Sequence, residues 1–225
     1  VRSRILRDIN GLRVHILESG YEPSDNPCVL LLHGFPELAY SWRNIFLPLA
    51  AAGFHVVAPD QRGYGRTIGW DDRYDGDLSL FKLSNLVNDV VELVSALGLS
   101  SVAAVVGHDF GSSVAAWCAL LRPDIFKGLV MMSSPFPGTS STMSEDGISA
   151  APLAGPEIND ELANLRRPRK HYQWYYSSLT ANTDMINCPE GIHKFLRAYF
   201  HVKSADWIQN QPFPLKSWTA TELAK

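Results

Sequence analysis

Apolar and polar positions alternate roughly along residues 4–9 and 12–18, on either side of Asn10-Gly11. Alternation with a period of two predicts two half-buried strands. An Asn-Gly pair between them predicts a tight hairpin, because both central residues of that turn need positive φ. The pattern then changes to short unbroken apolar runs at Cys28–Leu32, 55–58, 102–106 and 128–132. Between and beside them, helical spacing appears at 41–52, 80–97 and Phe110–Leu121. In the second of these, Leu83, Leu86, Val87, Val90, Val91 and Val94 share one side, and Gly98 ends it. Unbroken apolar strands alternating with helices predict an α/β fold, its parallel sheet covered on both faces. The leading hairpin makes that sheet mixed.

After Met132 the rhythm breaks. Residues 134–157 are rich in Ser, Pro, Gly and Ala and read as a linker, whereas 169–179 and 189–200 are aromatic and helical. The expected division is therefore a core over 1–133 and a linker with a helical cap over 134–225, the cap lying above the sheet's carboxyl edge. The chain stops at 219–225, inside what reads as another polar helix, and no strand pattern resumes. The expectation is a cap cut short and a sheet without its C-terminal strands. Such a sheet would leave an edge and apolar faces uncovered, giving a marginal or aggregation-prone protein. Val1 is not the residue expected at a natural start, and the expectation is that the true N-terminus is unseen.

Composition narrows the class. A chain of 225 residues with 46% hydrophobic and 19% charged positions holds one sizeable core. The 20 Lys+Arg and 23 Asp+Glu are interspersed, giving a net charge of -3, which argues against nucleic-acid and membrane-surface partners. The apolar runs are too short to span a bilayer. Cys28, Cys118 and Cys188 form neither a CxxC pair nor a metal spacing, which predicts buried free thiols and a reducing, cytoplasmic location. No cofactor or metal is implied.

In open α/β sheets ligands bind outside the carboxyl ends of the strands. Three loops fall there: His33-Gly34-Phe35-Pro36-Glu37, Asp60-Gln61-Arg62-Gly63-Tyr64-Gly65-Arg66-Thr67, and Gly107-His108-Asp109-Phe110-Gly111-Ser112. The third has the spacing of a nucleophile elbow, G-x-S-x-G, with Asp109 at the centre. Its glycines admit a sharp turn that projects the carboxylate, and the following helix N-terminus favours negative charge. An Asp before a helix also serves as a plain N-cap; the neighbouring loops favour chemistry. Asp109-Phe110-Gly111 spells a kinase DFG, but the other kinase motifs are absent, and Gly63-Tyr64-Gly65 lacks the third glycine of a dinucleotide fingerprint. Ser112 lies three residues into the helix, which excludes a serine esterase.

Together these three loops, in order and spacing, resemble the epoxide hydrolase branch of the α/β-hydrolase superfamily. The resemblance implies that Asp109 attacks an epoxide carbon to form an alkyl ester. It also implies that the backbone N–H groups of Phe35 and Phe110 form an oxyanion hole, and that His33 and His108 are structural. His171-Tyr172-Gln173-Trp174-Tyr175-Tyr176 is similar to the family's cap motif. That assigns Tyr172 to the epoxide oxygen, with Tyr175 or Tyr176 as alternatives in a shifted register. The family's second cap tyrosine has one visible candidate, Tyr199. A small hydrophobic epoxide is the implied partner, with Phe35, Trp42, Phe110, Trp174 and Tyr175 beside it. The oligomeric state is left open. The family's general base and triad acid have no counterpart, since His171, His193 and His201 all fall in the cap region; the attacking half of the mechanism is present without the hydrolytic half. Two readings compete. A haloalkane dehalogenase commonly has Trp after the nucleophile and a fluoroacetate dehalogenase has Arg, where this chain has Phe110. A non-catalytic binding derivative would have no chemical need of the nucleophile or its oxyanion loops.

Overall fold

The computed structural model describes residues 1–136, 138 and 156–225. Most of the expected linker, residues 137 and 139–155, lies outside these. The chain divides into two compact units, Val1–Thr139 and Ser140–Lys225.

The first unit is a six-stranded sheet in the order β1-β2-β4-β3-β5-β6. β1 (Arg2–Ile9) and β2 (Leu12–Ser19) form the hairpin, with Asn10 at φ 47° and Gly11 at φ 78°. β2 pairs antiparallel with β4 (His55–Pro59), while β3 (Cys28–Leu32) lies parallel between β4 and β5 (Ala104–His108). β6 (Leu129–Met132) pairs parallel with β5 and forms the far edge, where Leu129, Val130 and Met132 are exposed. The sheet is thus mostly parallel with an antiparallel hairpin.

Two helical stretches are broken where continuity was expected. Residues 41–52 divide into a 3-10 turn, Ala39–Trp42, and α1 (Phe46–Ala51). Pro48 explains the break: in a helix running from 41 it would clash with the preceding turn, whereas in a first turn its missing N–H costs nothing. Similarly, Leu78–Phe81 is a 3-10 turn, Lys82 is extended at ψ 144°, and α2 runs over Leu83–Ala96. Gly98, at φ 75°, ends the helix as expected. α2 and α3 (Phe110–Leu121) pack Leu86, Val90, Leu93, Val114 and Cys118 into one core with Leu30, Leu32 and Val57. The smaller core on the opposite face joins Leu31, Trp42, Phe46 and Val56.

Glu18 is buried in the hairpin yet charged. It accepts from Arg2 Nε at 2.7 Å, Arg4 Nη1 at 3.0 Å and His55 Nε2 at 2.9 Å. Burial alone pushes the carboxyl up; His55, Arg2 and Arg4 outweigh it and hold Glu18 down at about 2, against an ordinary 4.5. A depressed folded pKa contributes stability that is present above the unfolded pKa and lost as pH falls through the folded one. Acid should therefore remove on the order of 3 kcal/mol between roughly pH 4.5 and 2. Urea midpoints across that window test this, and Glu18→Gln should flatten the dependence. Burial, with Glu18 nearby, also pushes the Cys28 thiol up to about 12.

The regular elements among the second unit's described residues are all helices: α4 (Pro156–Ala163), α5 (Tyr172–Tyr176), α6 (Ala181–Ile186), α7 (Ile192–His201) and α8 (Ala220–Leu223). α4 and α6 were not foreseen. Ile158 and Leu162, one turn apart, pack with Ala220, Leu165 and Leu223. Cys28 and Cys118 are buried free thiols as expected; Cys188, in this unit, is only half-buried, and its Sγ lies 3.1 Å from Glu190 Oε2. No described helix is long and apolar enough to cross a membrane.

Candidate active site

The sheet's carboxyl edge gathers the three motif loops. At the end of β5, Asp109 adopts φ 54°, ψ -124°, a conformation that costs a non-glycine residue about 1–3 kcal/mol and persists only where the surroundings enforce it. Three close packings enforce it. A Cβ on Gly107 would stand 2.2 Å from the Gly111 carbonyl oxygen, and one on Gly111 would stand 2.3 Å from that of Leu32. From the facing loop Gly34 is equally tight, since its Cβ would come within 2.3 Å of Asp109 Cβ. Hydrogen bonds hold the turn from below. The Asp109 N–H donates to the Met132 carbonyl at 3.0 Å, and the Ser112 N–H to the Asp109 carbonyl at 2.9 Å. The hydroxyl of Ser112, fully buried, lies 2.7 Å from the Gly107 carbonyl and accepts the Met132 N–H at 3.1 Å. Ser112 thus ties the elbow to β6.

The carboxylate meets a backbone donor already aimed at it. The Phe35 N–H donates to Asp109 Oδ1 at 3.0 Å. Phe110 opens α3, so its N–H has no intrahelical acceptor. Asp109, Phe35 and Phe110, three of the residues singled out from sequence, are therefore brought together.

The neighbouring polar groups are committed to holding the loops. His33 is fully buried; the Gln61 N–H donates to its Nε2 at 3.1 Å, leaving Nδ1–H to donate to the Gly34 carbonyl at 2.9 Å. Burial pushes its pKa down, so the ring is neutral. His108 Nδ1 lies 2.9 Å from Glu37 Oε2, joining the elbow strand to the loop that carries Phe35. Asp60 accepts from the Ala39 N–H at 2.9 Å, the Arg66 N–H at 3.0 Å and His15 Nδ1 at 2.7 Å. Arg62, buried, forms a two-pronged pair with Asp89 at 2.7 and 2.8 Å and donates to the Asn10 carbonyl at 3.1 Å. Burial pushes the Asp89 carboxyl up, against the pull of Arg62 and Asn10.

Sequence reasoning missed the Glu37–His108 pair, although both residues stand inside the quoted motifs. It also missed Tyr64, whose hydroxyl is pushed up to about 12 by burial and by the Asp109 carboxylate. Trp42 is a correction. It was expected beside the substrate, but it is buried in the smaller core with Phe46, and its indole Nε1 has no hydrogen-bond partner.

Tyr172, Trp174 and Tyr175 belong to the second unit. Tyr172, Tyr175 and Tyr176 share one face of α5, as residues three and four apart do. They line a cavity of about 430 Å³ with Lys170, Asp184 and Phe195. Trp174, two residues on from Tyr172, is not part of that lining. Lys203 links the two candidate tyrosines, with its ammonium 5.4 Å from the Tyr172 ring and 2.6 Å from the Tyr199 hydroxyl. Among the described residues, no cluster of three or more His, Cys, Asp or Glu side chains is placed to hold a metal ion.

A family model described as the alpha/beta hydrolase fold matches residues 27–153. Epoxide hydrolase B of Mycobacterium tuberculosis (strain H37Rv) is 38% identical over 178 residues, 78% of this chain and 47% of that protein. An epoxide hydrolase of Caballeronia sordidicola is 41% identical over 127 residues, 56% of this chain and 36% of its own length. The chain thus spans about half or less of the relatives it matches. Among solved structures, a mutant potato epoxide hydrolase superimposes with a TM-score of 0.56 at 40% identity, covering 64% of this chain and 43% of that one. The epoxide hydrolase VrEH1 of Vigna radiata gives 0.53 at 40% identity, covering 60% and 41%.

Proposed function

Because the chain belongs to the α/β-hydrolase fold family, in its epoxide hydrolase branch, we propose that it opens epoxides through a covalent ester on Asp109. The observation that carries this reading is the carboxylate on a strained elbow, 3.0 Å from a backbone donor on the facing loop. A buried structural aspartate has no need of that geometry. One carboxylate oxygen attacks an epoxide carbon, the ring C–O bond breaks, and its electron pair leaves as an alkoxide. The Tyr172 hydroxyl protonates that oxygen, giving a β-hydroxyalkyl ester. Water attack on the aspartyl carbonyl then places negative charge between the Phe35 and Phe110 N–H groups, donors of a kind typically worth ~3 kcal/mol each. The product is a vicinal diol.

The slow step for this 225-residue chain is ester hydrolysis. His33 is bonded through both ring nitrogens, His15 and His55 are engaged in the hairpin, and His108 is paired with Glu37. His171, His193 and His201 lie in the second unit; none of the seven histidines is assigned as the base that activates water, and on this reading the ester should accumulate. Incubating the folded chain with excess styrene oxide and mapping its peptides by mass spectrometry tests the proposal directly. An increment equal to the mass of the epoxide is expected on the peptide carrying Asp109; an unmodified Asp109 in a protein with intact circular dichroism would refute it. Tyr172→Phe should slow adduct formation by about 10² or more, the usual span for a positioned acid. Parent-rate alkylation in that variant, with a slowed Tyr175→Phe, would move the role to Tyr175.

A further inference from the structure

We infer that the first unit carries a binding cleft for an aromatic arm of the substrate, on the side of Asp109 that faces the loop after β4. The inference rests on the proposed epoxide chemistry for its orientation, and it names the class of epoxide: one bearing an aryl group. A cleft of about 350 Å³ opens there, within the size range of small-molecule sites. Its lining includes Phe35 and Phe110, the two residues whose backbone flanks Asp109, and the aromatic and aliphatic side chains of Tyr64, Trp70, Phe81 and Leu86. Continuity with the nucleophile has a second, electrostatic support, because the Asp109 charge reaches the Tyr64 hydroxyl.

The lining also decides what enters. Its two strongly polar members have prior partners: Arg62 is held by Asp89 and Asn10, and the Gln61 amide donates to the His33 carbonyl. The surface left to a ligand is aromatic and aliphatic. Trp70 and Phe81 stand edge to face, with centroids 6.1 Å apart and planes at 83°, an arrangement that a third ring can extend. The Trp70 indole is itself anchored, donating to the Thr67 carbonyl at 3.2 Å. An aryl ring in this cleft would direct an attached epoxide toward Phe35 and Phe110. A small alkyl epoxide would leave the aromatic walls unfilled.

The test uses the full chain and two matched probe pairs. In titrations followed by NMR, 1-phenylethane-1,2-diol should bind at least about 10-fold more tightly than propane-1,2-diol, the usual reward for burying a ring-sized group. Its ring protons should show intermolecular Overhauser contacts to Trp70 and Phe81. Phe81→Ala should weaken the phenyl diol about 10-fold. Phe81→Trp, which fills the cleft without opening the fold, should weaken it as well. In the alkylation assay, Phe81→Ala should slow styrene oxide about 10-fold more than it slows propylene oxide. Contacts from the ring to other residues only, or equal effects on both members of each pair, would overturn the cleft. A ring bound at Trp70 and Phe81 without any Asp109 adduct would instead refute the epoxide chemistry and leave the cleft standing.

Discussion

Changing Asp109 to Asn is expected to lower ester formation with an epoxide at least a thousandfold while leaving the fold intact. The amide keeps the shape of the carboxylate and tolerates φ 54°, a region that Asn enters more readily than most residues. It also presents an oxygen to the Phe35 N–H, which now meets Asp109 Oδ1 at 3.0 Å. What it lacks is the negative charge and the nucleophilic lone pair, and removal of a covalent nucleophile commonly costs several orders of magnitude. The measurement is the rate at which intact protein gains the mass of styrene oxide under pseudo-first-order conditions. Comparable rates in the two proteins would mean that alkylation occurs elsewhere and that the elbow is not the reacting centre.

The second large effect concerns stability. Arg62→Ala should cost about 3–5 kcal/mol, because it leaves the buried Asp89 carboxylate without its two-pronged partner. That is a large share of the ~5–15 kcal/mol typical of a whole domain. The loss should be shared rather than doubled: adding Asp89→Ala to Arg62→Ala removes the orphaned charge and should cost less than the two single changes added together. Urea denaturation of the four proteins reads this coupling. A strictly additive double mutant would mean that the pair contributes no anchoring beyond its separate contacts. Arg62 belongs to one of the three motif loops, and its side chain fastens that loop to Asp89 of α2 and to the hairpin tip at Asn10.

Much of this architecture was legible from local pattern. The hairpin is announced by Asn10-Gly11, and the elbow by two glycines around a carboxylate between an apolar strand and a helix. Phe110–Leu121 begins and ends where its spacing and Arg122-Pro123 place it. Failures have local causes too. Apolar spacing over 41–52 ignores the one missing donor at Pro48. The run at 102–106 is apolar from its first residue, but register with β3 starts the ladder at Ala104, leaving Val102 in an isolated bridge to Phe126. α4 was illegible because only Ile158 and Leu162 mark its buried side. The network around Glu18 was invisible for a different reason: its partners lie up to 37 positions away, and no periodicity encodes that. The same holds for the aromatic cleft, whose Trp70 and Phe81 sit in a polar stretch that reads as ordinary loop.

The attachment of the first hairpin has a consequence for the order in which the chain assembles. The tip residue Asn10 donates through Nδ2 to Asp89 Oδ1 across 79 positions, and its backbone N–H donates to Glu92. Strand pairing within the hairpin is local and fast, needing only its first nineteen residues. Its anchorage waits for α2. On a ribosome that lays down about 5–20 residues per second, several seconds separate the two events. During that interval the hairpin lacks its anchor on α2, and a two-stranded ribbon alone is marginally stable at best, so its lasting order should date from the completion of α2. The Glu18 cluster is likewise completed late, since its third partner, His55, is made 37 positions after it.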